Sequence, residues 1–421
     1  IIRGFMFKKI KNKALRCVLS VFTCILGVML ALFLVLYLSA PRYQFIEPKP
    51  FSGKYLHNPY QDMNPDNWKR YNFHCHSRQY RGLTNGRSNT EYVIDSIYAI
   101  MDYDHAGISD YMFINPHACE KEGYIPAFEH GYGLFRKTHQ LCIGAEDVWK
   151  IDYPFMQSLD LKQHTINKLS EKCRFVVPAH PSFTKGYKVQ EMKYLSNYKL
   201  LEILNPYGDG IAHWDMALSN GHLVYGIADD DSHNVLDPNE VGRFFTVINT
   251  ASLAPDSVFA ALEKGCSYAV NFNPFYNEPF QDKVDGLKRL PHLTRIELVG
   301  DTLIIEASTP IWQVHFYGQD GTLLASEDKP SPASYVIRPE DTYVRAVLEV
   351  APGYTFVYLN PITRHEMPVP VEKRLDRVNV TQSVMMWVVY IVAAVFSLYA
   401  IIKKRKESKQ QSHENQGEQH Q

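Results

Sequence analysis

The chain has 421 residues, 45% hydrophobic and 21% charged, with a net charge of −1, enough for one large folded domain and a smaller one. The near-zero charge argues against a globally basic surface, so no nucleic-acid partner is indicated. Seven scattered cysteines, none in a CxxC pair, argue against a cysteine-ligated zinc site and against a dense disulfide framework.

The chain begins Ile1-Ile2, which reads as a trimmed start or as a start at Met6. Residues 1–13 form a basic N-terminus with Lys8, Lys9, Lys11 and Lys13. Residues 14–40 are almost wholly apolar, and roughly 20 such residues span a bilayer as a helix. A cleaved signal peptide is the competing reading; the length of the run and the lack of a small-x-small exit favour a retained span. A second run, 384–402, is followed at once by Lys403-Lys404-Arg405-Lys406. Basic flanks mark the cytoplasmic side, so both termini are expected inside and the residues between the spans outside the cytoplasm, periplasmic if the cell is bacterial. The tail 403–421, rich in Gln, Glu and Ser, reads as disordered. Asn379-Val380-Thr381 matches a glycosylation sequon but lies too close to the bilayer to carry weight.

Residues 41–70, punctuated by prolines, read as a linker. Phe73-His74-Cys75-His76-Ser77 follows; on a strand, alternate side chains share a face, so both imidazoles can reach one ion and Cys75 points away. Thr90 to Asp102 reads as a helix capped by Asn89 or Thr90. Short strands are expected around Gly107–Tyr111, Leu141–Glu146, Arg174–Pro181, Leu200–Asn205, Leu223–His233 and Phe244–Ile248, with helices at Phe155–Lys172 and Leu253–Gly265. Polar residues of metal-binding type repeatedly come just after these strands. That alternation, with donors converging from strand ends, predicts an α/β barrel over 71–285; an open doubly wound sheet would gather them at one switch point. From 291 to 370 the pattern becomes alternating strands separated by Gly300-Asp301 and Asp320-Gly321 turns, read as a small antiparallel β-sandwich.

The candidate donors are His74, His76, Glu146, His180, Asp231 and His233. Imidazole and carboxylate together suit Zn, Mn or Fe, and a carboxylate such as Glu146 can bridge two ions. Ions roughly 3.5–4 Å apart generate a hydroxide and clamp an oxyanion. Each histidine alone could be an ordinary core or surface residue; their shared placement after short strands carries the reading.

Five segments in order resemble the PHP (polymerase and histidinol phosphatase) family of metal-dependent phosphoesterases: His74-Cys75-His76-Ser77, Gly107-Ile108-Ser109-Asp110-Tyr111, Gly144-Ala145-Glu146, Ala179-His180-Pro181 and Asp231-Ser232-His233. The resemblance covers about residues 70–275, and Glu202-Ile203-Leu204-Asn205 also fits it. It implies a distorted seven-stranded β/α barrel, two or three metal ions and hydrolysis of phosphomonoesters or phosphodiesters. The sandwich more loosely resembles the C-terminal part of exported members.

The chain departs from the family at Asp110-Tyr111, where Asp-His is usual, and at Asn85-Gly86, where Asp-Gly is usual. A phenol ligates poorly because it stays protonated, so the resemblance implies two divalent ions and a weakened third site. The histidine expected shortly after the glutamate is not evident, His164 being a distant substitute. In the implied roles His74, His76 and Asp231 hold one ion, Glu146 bridges, and His180 holds the second. His233 manages protons, helped by Asp229 or Asp230, and Asp110 orients its neighbours. His105, His213 and Arg78 are read as plain surface positions, with contact to the phosphate as the lesser alternative. The leading expectation is a membrane-anchored hydrolase of phosphate esters. The alternative is a catalytically degenerate barrel that binds a ligand or partner.

Overall fold

The structure is a computed structural model that describes residues 13–82, 86, 88–272, 277–370 and 374–417. It divides into two units, one made of the chain's ends and the other spanning Phe45–Asp376.

The end unit contains two helices long and apolar enough to cross a membrane, with the apolar stretches Cys17–Ser39 and Val380–Ser408. Asn379, the sequon residue, caps the second helix: its side-chain oxygen accepts the Gln382 amide at 2.9 Å. Here the structure departs from the expected disordered tail, because this helix continues from Val380 to Gly417. The Glu, Lys and Gln content of that stretch is as favourable to helix as to disorder.

The central unit is mixed α/β. Its longest sheet runs, edge to edge, Thr322–Asp328, Gln313–Gly318, Tyr343–Ala351, Thr355–Leu359, Ser267–Phe272, Phe244–Asn249, Trp68–Asn72 and His105–Ala106. Ala127–His130, Gln140–Ala145 and Cys173–Pro178 form a separate antiparallel sheet. Leu200–Leu204 and Tyr225–Ala228 pair in parallel. Among the described residues these ladders do not join into a closed ring. The expected seven-stranded barrel is thus met only as a broken, partly antiparallel arrangement. The sheet also crosses the boundary expected near 285–291, because Thr355–Leu359 pairs directly with Ser267–Phe272.

The helices explain themselves locally. Thr90 caps Glu91–Ile100, its hydroxyl accepting the Val93 amide, and Ser158 does the same for Leu159–Leu169. Pro255 opens Pro255–Lys264, and Gly265 closes it at φ +75°. Strand Gln140–Ala145 is buried on both faces. Leu141 and Ile143 enter a core with Tyr71, Phe73, Phe175, Val177, Leu200 and Ile227, while Cys142 and Ala145 face another with Trp214 and Leu218. The first of these cores draws on three ladders and binds them together where the hydrogen bonds do not.

Candidate metal centre

His74 and His76 leave the end of Trp68–Asn72, held by a parallel bridge between Cys75 and Ser232 and by the His76 amide donating to Ser232 O at 3.0 Å. Their rings lie 5.2 Å apart, and Cys75 packs into the apolar core. Gly86 covers this segment so closely that a Cβ there would meet Ser77 O at 2.4 Å. Asn85 lies outside the described residues.

Six side chains converge on these histidines. Asp231 Oδ1 lies 3.3 Å from His74 Nε2 and 3.2 Å from His76 Nε2. Glu129 Oε2 lies 3.5 and 3.2 Å from the same two atoms, and Glu129 Oε1 lies 3.0 Å from His180 Nε2. His139 Nδ1 lies 2.5 Å from Glu129 Oε1. His233 stacks on His76 from one side, ring centroids 4.5 Å apart, and Tyr111 stacks on it at 4.4 Å.

Glu146 is not part of this group. It is exposed, at the other end of its strand. The reason is strand direction. The sequence reading assumed that each strand delivers its C-terminal end to the site. Gln140–Ala145 runs antiparallel between its neighbours, with Glu129 opposite Leu141. Its N-terminal end therefore meets the site and brings His139, while Glu146 goes to the far end. Glu129, at the C-terminal end of Ala127–His130, lies among His74, His76 and His180 instead, and His139, ten residues on, bonds to it.

The surrounding hydrogen bonds aim the donors. Glu202 Oε1 accepts from His74 Nδ1 at 3.0 Å, leaving Nε2 for the centre, and Glu202 Oε2 accepts the His180 amide. Asn205 Nδ2 donates to Asp231 Oδ2 at 3.2 Å, which turns Oδ1 inward. Asp110 takes the Ser77 amide at 2.8 Å, the Ser77 hydroxyl at 2.6 Å and Asn115 Nδ2 at 2.9 Å. It fixes the residue after His76 and lies behind the donors. Asp230 is spent on the backbone, accepting the amides of Gly242, Arg243 and Phe244 and the Tyr98 hydroxyl. Asp229 accepts the Phe73 amide. Two donors sit on strained backbone, His180 at φ +28° and Asp231 at φ +45°.

The charges are strongly coupled. Burial disfavours a proton on His76, but Asp231 and Glu129 outweigh it and push its pKa up to about 9. His74 is likewise raised, burial being overcome by Asp231, Glu202 and Glu129. Glu129 is held well below the carboxylate range, because His139 and His74 outweigh its burial. His233 is pushed down to about 4, first by burial and then by His76. Burial, then Glu129 and Asp231, keep the Tyr111 phenol protonated.

A cation fits this donor set. His74 Nε2, His76 Nε2, Glu129 Oε2, His139 Nε2, Asp231 Oδ1 and His233 Nε2 are buried and without a hydrogen-bond partner. Leaving so many buried polar atoms unsatisfied costs about 1–3 kcal/mol each unless something binds them. Two triads, His74–Glu129–His180 and His74–His76–Asp231, each offer one donor atom per residue, all within 4.8 Å of one another.

No protein-family model matches this chain, and no curated protein matches it. A solved structure, a two-domain protein containing a predicted PHP-like metal-dependent phosphoesterase from Bacteroides vulgatus, aligns over 75% of this chain and 98% of its own, at 12% identity and a TM-score of 0.37.

Proposed function

We propose that this chain is a membrane-tethered, metal-dependent phosphoesterase whose catalytic centre lies outside the cytoplasm. The observation that carries the reading is the convergence of buried, unpartnered imidazole and carboxylate atoms on one point. His74, His76, His180, Asp231 and His233 lie in the segments that resemble the PHP family, and Glu129 and His139 join them from outside those segments. Two divalent ions of the Zn, Mn or Fe class, when bound, supply Lewis acidity and a readily deprotonated water.

The chain's own residues divide the remaining work. His74, His76 and Asp231 would hold one ion, His180 the other, with Glu129 between them; His139 holds Glu129 in place. The raised histidines carry protons in the metal-free protein, so binding expels those protons and tightens with rising pH. His233 is neutral at physiological pH, with Nε2 unpartnered, and serves as the proton carrier nearest the centre. Tyr111 keeps its proton, held there by burial, Glu129 and Asp231, and is not a third-site ligand. Asp110 is a positioning residue, acting through Ser77.

The basic flanks Lys8–Lys13 and Lys403–Lys406 support both termini inside. The non-catalytic reading draws on one observation, the Tyr111 ring covering His76. The test is metal analysis of the purified full chain together with hydrolysis of 4-nitrophenyl phosphate and bis(4-nitrophenyl) phosphate. The proposal expects bound transition metal and a hydrolysis rate abolished by His74→Ala. Bound metal with hydrolysis of neither ester supports the binding module, and absence of both metal and activity rejects a metal centre.

A further inference from the structure

The loop 131–138 joins the two strands that carry Glu129 and His139, so its tip stands at the site end of the hairpin. That tip is apolar and open to solvent: Leu134 is 65% exposed and Phe135 is 70% exposed. Phe135 stacks on Phe155 with centroids 5.8 Å apart, and the adjacent Met156 is 64% exposed. Single exposed apolar side chains are ordinary; three gathered on this loop and the segment packed against it form a patch that a ligand can cover. The loop is also built to hold its shape. Gly133 has φ +49°, and a Cβ there would meet Arg136 O at 2.6 Å and His139 Nε2 at 2.9 Å.

Aromatic rings also run from the base of this loop to the donors. Tyr132, at the base of the loop, has its ring 6.4 Å from that of Tyr111, which stacks on His76. Across the centre, Tyr207 places its hydroxyl 3.2 Å from His233 Nδ1. The rings of Tyr132, Tyr111 and Tyr207 therefore stand beside the charged, buried donors, and the hairpin ends in an exposed apolar rim. A small hydrophilic phosphate ester has no use for such a rim. An ester with a long apolar chain does, because the chain removes the rim from water at roughly 25 cal/mol per Å². The same chain carries two helices apolar enough to cross a membrane, which would keep it where amphiphiles collect.

We propose that the substrate is a phosphoester bearing a long hydrocarbon chain, a lipid phosphate, with its head at the metal donors and its chain against Leu134, Phe135 and Met156. This inference rests on the phosphoesterase reading. Its test uses the full chain in phosphatidylcholine nanodiscs and two substrate pairs: methyl and dodecyl 4-nitrophenyl phosphate, and methyl and dodecyl phosphate. Within a pair only the apolar group differs. The variants are Leu134→Ser/Phe135→Ser and, on the neighbouring segment, Met156→Ser.

The ratio of kcat/KM for the dodecyl over the short substrate should be well above one in the wild type. It should fall about tenfold in the double variant. The rate on the short substrate should be unchanged, which also shows that the variant is folded. Partitioning of the long substrate into the bilayer is common to wild type and variants, so it cancels. Hydrolysis with equal ratios in wild type and variants, or equal loss on both substrates, overturns the lipid inference and leaves the hydrolase standing. Hydrolysis of none of the four esters rejects the phosphoesterase itself, and this inference with it.

Discussion

Two buried charged clusters in the central unit look alike in composition and differ in closure. On helix Ile211–Ser219, Asp215 receives Arg345 Nε at 2.7 Å, Arg345 Nη2 at 2.8 Å and the Tyr343 hydroxyl at 3.1 Å. Every charge there has a protein partner, and the cluster ties a helix to the long sheet. At the candidate metal centre the carboxylates and imidazoles are just as buried, yet inward-facing atoms on six residues make no hydrogen bond, and the ion pairs among them lie at 3.2–3.5 Å. A buried charge costs several kcal/mol unless compensated. A closed cluster supplies that compensation from within and is architecture. An open one needs it from outside and is a site. Asp230 and Asp231 show the distinction between neighbours in sequence, the first spent on backbone amides and the second turned toward the histidines.

The largest expected effect comes from the open cluster. Asp231→Asn or Glu129→Gln should lower phosphoester hydrolysis by about a thousandfold or more. Bound metal, read by elemental analysis, should fall with it, whereas Glu146→Gln should change neither. If Glu146→Gln silences the protein and Glu129→Gln does not, the assignment of the bridging carboxylate is reversed. In the closed cluster, Arg345→Met leaves Asp215 uncompensated and should cost about 3–5 kcal/mol of stability in denaturant unfolding. The double change Arg345→Met/Asp215→Leu should recover much of it, and metal content per folded molecule should stay constant in both. Asp110→Asn, acting through Ser77, should reduce activity by about 10–100-fold, with little loss of metal.

The smallest effect sharpens what openness means. His105 Nε2 is also buried and unpartnered, but Tyr71 and Phe73 pack beside its ring instead of ligands. Burial pushes its pKa down to about 4, with Asp95 opposing weakly. A base whose folded pKa is depressed contributes stability that is present above its unfolded value, about 6.5, and lost as pH falls through 4. His105→Gln should therefore flatten the acid limb of unfolding between those values and leave bound metal unchanged. Loss of metal in this variant would show that a lone buried imidazole is not neutral to the centre.

Much of the site was legible because it lies where chemistry interrupts apolar strands. His74, His76, His180 and Asp231 each follow such a run, and the structure gathers them. Glu129 was hidden: its strand, Ala127–His130, is four residues long, and its neighbour His130 is not at the centre but bonded to Gln140 and Ile151. Leu141–Ala145 is the stronger apolar signal, and it drew the reading to Glu146. What the sequence did not carry was strand direction. Hydrophobic alternation is the same read forwards or backwards, so an antiparallel hairpin inside an α/β pattern reverses which end of a strand is functional. The helices at Glu91–Ile100 and Pro255–Lys264 were legible from caps and spacing. The break-up of the barrel into separate ladders was not, because pairing partners are set by contacts distant in sequence.

The pairing of Ser267–Phe272 with Thr355–Leu359 bears on how the protein must be cut for solution work. Ending the chain near residue 288, after the last helix before the C-terminal strands, would strip one side of Ser267–Phe272 and bare its amides and carbonyls to water. Such an unprotected edge templates pairing with other chains, and Tyr268 and Val270 would lose cover from Leu359 and Val357. A fragment ending at that boundary is expected to aggregate. One cut at the limits of the central unit, Phe45 and Asp376, keeps every ladder of the long sheet whole.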